Sequence, residues 1–401
     1  MRHTDIVIAG GGLAGSTAAA MLGRAGIDAI LIDSHKDYPF DFRCEKLDAS
    51  QVALVHKTGL ADVILRAGAI DGEVWIARFG RLIEKRPNQQ YGILYDALVN
   101  TIRAAVPKTT PFIHGKVAAI ATGAERQRVT LASGEEISAR LIVLANGLNI
   151  GLRHTLGMTR EVVSTCHSIS AGFDVRPLGR GSFDFRALTY YPERASDRMA
   201  YLTLFPVAPA GSALRANLFV YRDMHDPWLR ELRAAPDAAL SALMPGLHKL
   251  TGNFEVTGQV KIRPVDLYVT RGHQQAGVVL VGDAFATSCP AAGTGCNKVF
   301  TDVERLCNVH IPAWLASAGM GADKIAAFYA DADKRACDAH STAKAYRLRA
   351  LSTDEGFSWR ARRWGRFLGQ AGMGALRAAR ERLSVRAIER PGAAASSRAG
   401  T

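Results

Sequence analysis

Nothing in this 401-residue chain approaches the roughly 20 consecutive apolar residues that cross a bilayer, so no membrane-spanning helix is expected. Cysteine is scarce. The six residues (Cys44, Cys166, Cys289, Cys296, Cys307 and Cys337) form no CxxC pair and show no metal-ligand spacing. That argues against a disulfide framework and predicts free thiols in a reducing compartment. The eleven histidines make neither HxH nor HExxH, so no metal is predicted. The N-terminal apolar run is short and carries Asp5, unlike the core of a secretory leader, and a cytoplasmic location follows. No internal repeat is visible, and low complexity is confined to Pro391–Thr401, which is expected to be disordered. At 48% hydrophobic and 22% charged the composition is that of an ordinary globular protein. The length allows a large core, arranged as two interleaved units plus a tail.

Negative charge is in short supply, giving a net +13, and the imbalance is local. From Ala343 to Thr401 there are 13 Lys/Arg against 4 Asp/Glu, so this tail carries +9 and the body is close to neutral. Nucleic-acid binding is not expected, because the basic cluster is local and no recognition module accompanies it. Within the tail, Trp359-Arg360-Ala361-Arg362-Arg363-Trp364-Gly365-Arg366-Phe367-Leu368 interleaves arginine with aromatic residues. Three readings stay open: a helix lying peripherally on anionic lipid, a helix packing its aromatic side on the body, and a contact for an acidic partner.

The apolar run Asp5-Ile6-Val7-Ile8-Ala9 leads into Gly10-Gly11-Gly12-Leu13-Ala14-Gly15. A helix-compatible stretch follows, then Ala29-Ile30-Leu31-Ile32 ending on Asp33. Gly10 permits a tight strand-to-helix turn, Gly12 lets a pyrophosphate approach the backbone, and Gly15 lets the helix close on the sheet. The helix opens at Leu13 and Ala14, with its free amides and dipole facing the phosphate. Asp33 is placed to accept hydrogen bonds from a ribose hydroxyl and to repel a 2′-phosphate, so the site favours FAD or NAD over NADP.

A helix is expected over Leu94–Val106, and strands at Lys116–Thr122, Gln127–Leu131 and Leu141–Ala145. From about Val162 the pattern changes. Segments 166–175, 186–194, 198–208, 213–222 and 254–269 read as one antiparallel sheet, interrupted by a helical insertion over Pro227–Leu250. The chain returns through the buried-type strand Gly277–Val281 to Gly282-Asp283, then to Cys289-Pro290-Ala291-Ala292-Gly293-Thr294-Gly295-Cys296-Asn297 and a long helix. An acid at a strand's carboxyl end, followed by a helix N-terminus, suits a ligand carrying hydroxyls, phosphate and an electron-accepting ring.

Together the two signatures resemble the p-hydroxybenzoate hydroxylase-like superfamily of single-component FAD-dependent monooxygenases, which includes flavin-dependent halogenases and geranylgeranyl reductases. The resemblance covers about residues 1–345, with specific motifs at both ends and little between. It implies an α/β fold: a Rossmann-like FAD-binding domain (1–75, 92–160 and 270–345), an interleaved antiparallel-sheet substrate domain (76–91 and 161–269), a C-terminal helical region (346–390) and a disordered tail (391–401). It further implies that Gly282 and Asp283 hold the FAD ribityl chain, that Pro290, Gly293, Gly295 and Asn297 line the flavin ring, and that Arg43 contacts the cofactor. A surface ion pair of Arg43 with Asp41 or Glu45 is the alternative. Three departures stand out. Asn146 replaces the acid of the family's Asp-Gly motif, Ala286 replaces a histidine, and Tyr95 stands where an arginine is common.

The activity implied is hydroxylation of an aromatic or other electron-rich small molecule through a C4a-hydroperoxyflavin. O2 is the co-substrate, and NADH or NADPH docks transiently as reductant. No second dinucleotide fingerprint exists, since Gly319-Met320-Gly321 and Gly372-Met373-Gly374 follow no strand. The halogenase Trp-x-Trp-x-Ile-Pro segment is also missing. Alternatives are an FAD-dependent reductase of prenyl-type substrates and a flavin-binding redox protein without turnover. Tyr190, Tyr191, Tyr201, Phe205, Arg215, Phe219 and Tyr221 are candidates to line the substrate space, with Tyr201, Thr203 and Phe205 on one face. His167 and His225 are weak acid–base candidates, Cys289 and Cys296 read as packing residues, and no catalytic residue is assigned. Neither the particular substrate nor an oligomeric state is specified.

Overall fold

The computed structural model describes residues 1–208 and 213–388, apart from the side chains of Ala195 and of 377–388. The segment Pro391–Thr401 lies outside these residues.

Runs that are apolar on every side chain have no polar face to offer water, so they become the centre of a parallel sheet. Arg2–Ala9 pairs in parallel with Ala29–Asp33 on one side and Glu136–Leu144 on the other. Phe112–His114 extends one edge, Val278–Leu280 pairs in parallel with Glu136–Leu144, and the strands Gln127–Leu131 and Val117–Ala121 add antiparallel. The helix Leu13–Arg24 is rich in alanine, so it lies close on this sheet. Ala14, Ala18 and Leu22 pack among Ile6, Ile8, Leu31, Leu141 and Val143. The carboxyl ends at Ala9, Asp33, Leu144 and Leu280 therefore lie side by side, and their loops share one crevice, as open parallel sheets dictate.

The second sheet has seven strands in the order Phe254–Arg271, Thr159–Pro177, Leu214–Val220, Met199–Phe205, Ala187–Tyr190, Glu73–Arg78 and Arg81–Pro87. All pairs are antiparallel except Ala187–Tyr190 with Glu73–Arg78. Its period-two pattern sends Phe173, Leu188, Leu202, Leu204 and Leu218 to one face, covered by the helical insertion Pro227–Ala234, Pro236–Leu243 and His248–Thr251. The other face turns towards the crevice. The expected helix after Gly295 runs to Arg305, and Ala332–Thr353 and Phe357–Ile388 close the described chain. Among the described residues no helix is long and apolar enough to cross a membrane.

Candidate functional site

The first loop is built by close approach. Gly10 has φ +108°, and a Cβ there would lie 2.6 Å from the Ala145 carbonyl oxygen. A Cβ on Gly15 would lie 1.8 Å from the Gly10 oxygen. Gly12 is different: a Cβ there would meet no protein atom within 4 Å, so it faces open space. Gly12 is also the N-cap of Leu13–Arg24, and no side chain caps that end. Free amides beside an uncapped, side-chain-free position form a cradle for an anion.

Asp33 lies at this loop with most of its acceptor capacity engaged. It accepts from Gly11 N at 2.6 Å and His35 N at 2.8 Å, and it pairs with Arg103 at 3.2 Å. Arg103 also donates to the Gly11 oxygen, at 2.9 Å from Nε and 2.6 Å from Nη2. A Cβ on Gly11 would strike that guanidinium at 2.6 Å, which explains the middle glycine of the run.

The second loop meets the first. Gly282 has φ +60°, and a Cβ there would come within 3.6 Å of the Ala14 side chain. Gly282 N donates to Asp302 at 2.9 Å, and Asp302 is paired in the interior with Lys334 at 2.7 Å. Among the described residues the Asp283 carboxylate accepts no hydrogen bond. Burial pushes its carboxyl above the ordinary range, against the pull of Arg43, Lys298, Arg263 and Arg153. Glu45 is raised for the same reason, although it accepts a hydrogen bond from the Cys296 thiol and faces Arg43. Cys296 is held well above its usual range by burial and by Glu45, so it stays a thiol and packs without reacting.

Arg43 pairs with Asp41 at 2.5 Å, lies 3.8 Å over the Tyr95 ring, and donates to the Tyr38 hydroxyl at 3.1 Å. Of the expected ion pairs the one with Asp41 is present, and the Arg43 charge also acts on the Asp283 carboxyl. Pro290–Ala292 form a short turn, Gly293 takes the left-handed conformation, and the helix Gly295–Arg305 begins without a side-chain cap. A Cβ on Gly293 would meet nothing within 4 Å, so this loop is open as well. Asn297 is less available, since its amide donates to Ser50 Oγ at 3.0 Å. In the third loop Asn146 Nδ2 donates to the Asn149 oxygen at 3.0 Å, while its buried Oδ1 has no hydrogen-bond partner among the described residues.

On the crevice side of the second sheet, Tyr201 pairs with Phe219, Thr203 with Asn217 and Phe205 with Arg215. The Tyr201 and Phe219 rings meet edge-on at 5.2 Å, and the Tyr201 hydroxyl donates to the Ala291 oxygen at 2.6 Å. Tyr201, Phe219 and Tyr221 share an apolar cluster with Cys289, Ala291 and Ala292. Tyr190 is a correction: it points to the opposite face among Leu188 and Leu202, with its hydroxyl on Glu193. Tyr191 leaves the strand and stacks edge-on with Tyr201 at 6.0 Å. Arg215 is committed to Asp174 at 2.7 Å and to the Phe42 carbonyl at 2.6 Å. His167 is buried against Tyr346 and Tyr221, and burial lowers its pKa.

Two open glycine cradles, two uncapped helix ends and an unpartnered carboxylate converge on one crevice, a donor and acceptor set that fits a dinucleotide flavin. A family model described as FAD binding domain matches residues 3–311. This chain belongs to the FAD-dependent monooxygenase superfamily. It is 26% identical over 338 residues to 3-demethoxyubiquinol 3-hydroxylase of Escherichia coli, covering 77% of this chain and 80% of that protein. It is 31% identical over 278 residues to menaquinone reductase of Mycobacterium tuberculosis, covering 60% of this chain and 65% of that protein. The fold is shared with p-nitrophenol 4-monooxygenase of Pseudomonas putida, at TM-score 0.72 and 16% identity over 93% of this chain and 94% of that one.

Three elements of this flavoprotein site were not foreseen from sequence. One is Arg103. Another is Arg153, fully buried, which donates to the Ala284 oxygen at 2.5 Å, Thr270 Oγ1 at 3.0 Å and the Asn149 oxygen at 3.0 Å. It thereby ties the Asn146 loop to the Gly282 loop. The third is the Asp302–Lys334 pair behind Gly282. Most of these contacts are to backbone carbonyls and amides, which leave no residue pattern to read.

Proposed function

We propose that this FAD-dependent oxidoreductase hydroxylates an aromatic, quinol-type ring, using O2 and a transiently docked NADH or NADPH. The observation that carries the reading is the apolar wall of Tyr201, Phe219 and Tyr221 set directly against the Cys289–Ala292 turn. Such a wall binds a flat ring by area and edge-to-face contact, and it keeps water from the reacting atoms. FAD supplies the oxygen chemistry when bound. In this reading Gly10, Gly12, Leu13, Ala14 and Gly15 receive its diphosphate, Asp33 its ribose, and Gly282 and Asp283 its ribityl chain. Pro290, Gly293 and Gly295 border the ring, with Arg43 beside them, and Asn297 contributes through its backbone. Tyr201 then positions the substrate sheet by its bond to Ala291. With all six cysteines as free thiols, the protein suits the reducing cytoplasm.

The likeness to a protein named menaquinone reductase supports a second reading, an FAD-dependent reductase, taken here with the prenyl-type substrate expected from sequence. Holoenzyme is assayed with short-chain quinols and phenols, with and without O2. Substrate-stimulated NAD(P)H oxidation giving a product with one added oxygen atom is the expected result. Anaerobic saturation of a side-chain double bond would replace this reading with the second. NAD(P)H oxidation that no quinol or phenol stimulates, with no change in any of them, would overturn both.

A further inference from the structure

The C-terminal helix Phe357–Ile388 has a face that the protein does not use. One side is anchored. Gln370 accepts from Arg78 at 2.6 Å, Phe367 meets Phe79 at 5.2 Å, and Gly374 sits so close that a Cβ would lie 2.5 Å from the Ile83 oxygen. Arg363 donates to the carbonyls of Leu351 at 3.1 Å and Asp354 at 2.6 Å. Turning about 100° per residue, Phe357 and Leu368 fall on a second stripe, with Ala361, Gly365, Gly372, Ala375 and Leu376 beside them, and Trp364 at its border, its ring stacked on Phe79 at 5.3 Å yet 54% exposed. All eight are exposed, Phe357 to 87% and Leu376 to 66%.

Arginines edge this apolar stripe. Arg360 flanks one side and Arg362 and Arg366 the other, while Arg347 of the preceding helix shares a hollow with Arg362 and Arg366. None of these four has an acid partner among the described residues, and no Asp or Glu occurs from Phe357 to Leu376. Beneath the helix runs a cleft of about 200 Å³ bordered by Arg78, Phe79, Tyr191, Ala200, Leu348 and Trp364. Its inner wall, Ala200 and Leu348, belongs to the same apolar cluster as Tyr201 and Phe219.

We propose that this stripe docks on an anionic phospholipid bilayer, with the arginine edges on the headgroups, Phe357 and Leu368 in the acyl boundary, and the exposed edge of Trp364 at its border. An apolar face rimmed by cations and free of acid is the arrangement that partitions into such an interface. A second copy of this chain is a poor occupant, because self-association across the stripe would bring arginine rims together. Docking turns the cleft towards the lipid and opens a route for a lipophilic substrate to the Tyr201 wall. The docking itself does not depend on which reaction the flavin site performs.

The test is sedimentation of holoenzyme with vesicles of phosphatidylcholine alone and of phosphatidylcholine with phosphatidylglycerol, at low and high salt. Leu368→Asp and the double variant Arg362→Glu/Arg366→Glu accompany the parent, with FAD content and Tm as controls for folding. The expected result is binding to the anionic vesicles that weakens with salt. Leu368→Asp should lower it at least about tenfold, and the double arginine reversal at least about twentyfold. Absence of binding at low salt, or equal binding by parent and variants, would overturn the proposal. So would a dimer that Leu368→Asp dissociates, in protein that ignores vesicles.

Discussion

Asp283 is set at odds with its surroundings. Burial raises its carboxyl above the usual range, while Arg43, Lys298, Arg263 and Arg153 only partly offset that effect. An acid raised by folding stabilises the folded chain in its protonated form, so its contribution is present at low pH and is lost as pH rises through the raised value. Ligand hydroxyls need the ionised form as acceptor, so the dependence of FAD affinity has the opposite sign. We predict that FAD binding tightens as pH rises through the Asp283 titration. Asp283→Asn should flatten this dependence and weaken binding by about 1.5–3 kcal/mol, while raising the Tm of the apoprotein at neutral pH. Fluorescence titration of FAD across pH checks it, and an unchanged pH slope in the variant would contradict the assignment. At this scale the sequence was most legible where geometry allows only one residue type, as at Gly10 and Gly15. It was silent about Arg103 and Arg153, because a carbonyl acceptor has no residue identity.

Among the elements, strands were easier to read than helix surroundings. The alternation of Tyr201, Thr203 and Phe205 follows from the pleat alone, and their register against Phe219, Asn217 and Arg215 extends it. The same rule turns Tyr190 away, since it shares a face with Leu188. The C-terminal helix was ambiguous because two of its faces are apolar, one packed on Phe79 and one exposed. The helix Ala332–Thr353 owes its start to Asp331, which accepts from Asp333 N at 3.0 Å and Lys334 N at 3.1 Å. Asp331 also pairs with Arg305 at 3.0 Å and His310 at 3.1 Å. Despite burial, which acts to raise it, these donors hold its carboxyl down to about 2. Its contribution is therefore present above the ordinary carboxylate range and is lost as pH falls towards about 2. Asp331→Ala should cost about 1–2 kcal/mol at neutral pH and less in acid, as followed by urea denaturation. Asp331→Asn, which keeps a capping oxygen, should lose less.

Across the whole molecule, the parallel sheet does the assembling. Gly10–Asp33 and Gly282–Asn297 lie far apart in sequence, yet each follows a strand of the parallel sheet, and the carboxyl ends of those strands flank that of Glu136–Leu144, which pairs with both. They approach each other at Gly282, where even an added Cβ would already reach the Ala14 side chain. That convergence was readable because a buried apolar strand before each glycine loop leaves little freedom in where the loop emerges. The placement of the Asp302–Lys334 pair behind Gly282 was not, since it depends on how two distant helices cross. The central claim, one FAD gripped by both stretches, is tested most directly by titrating apoprotein with FAD and recording visible flavin absorbance and Tm for the parent and Gly12→Ala. The added methyl meets no protein atom but fills the first cradle. The account predicts stoichiometric yellow holoenzyme for the parent, and an apoprotein of unchanged Tm with sharply weakened FAD binding for the variant. A parent that stays colourless after reconstitution, or a Gly12→Ala protein that binds FAD as the parent does, would contradict it.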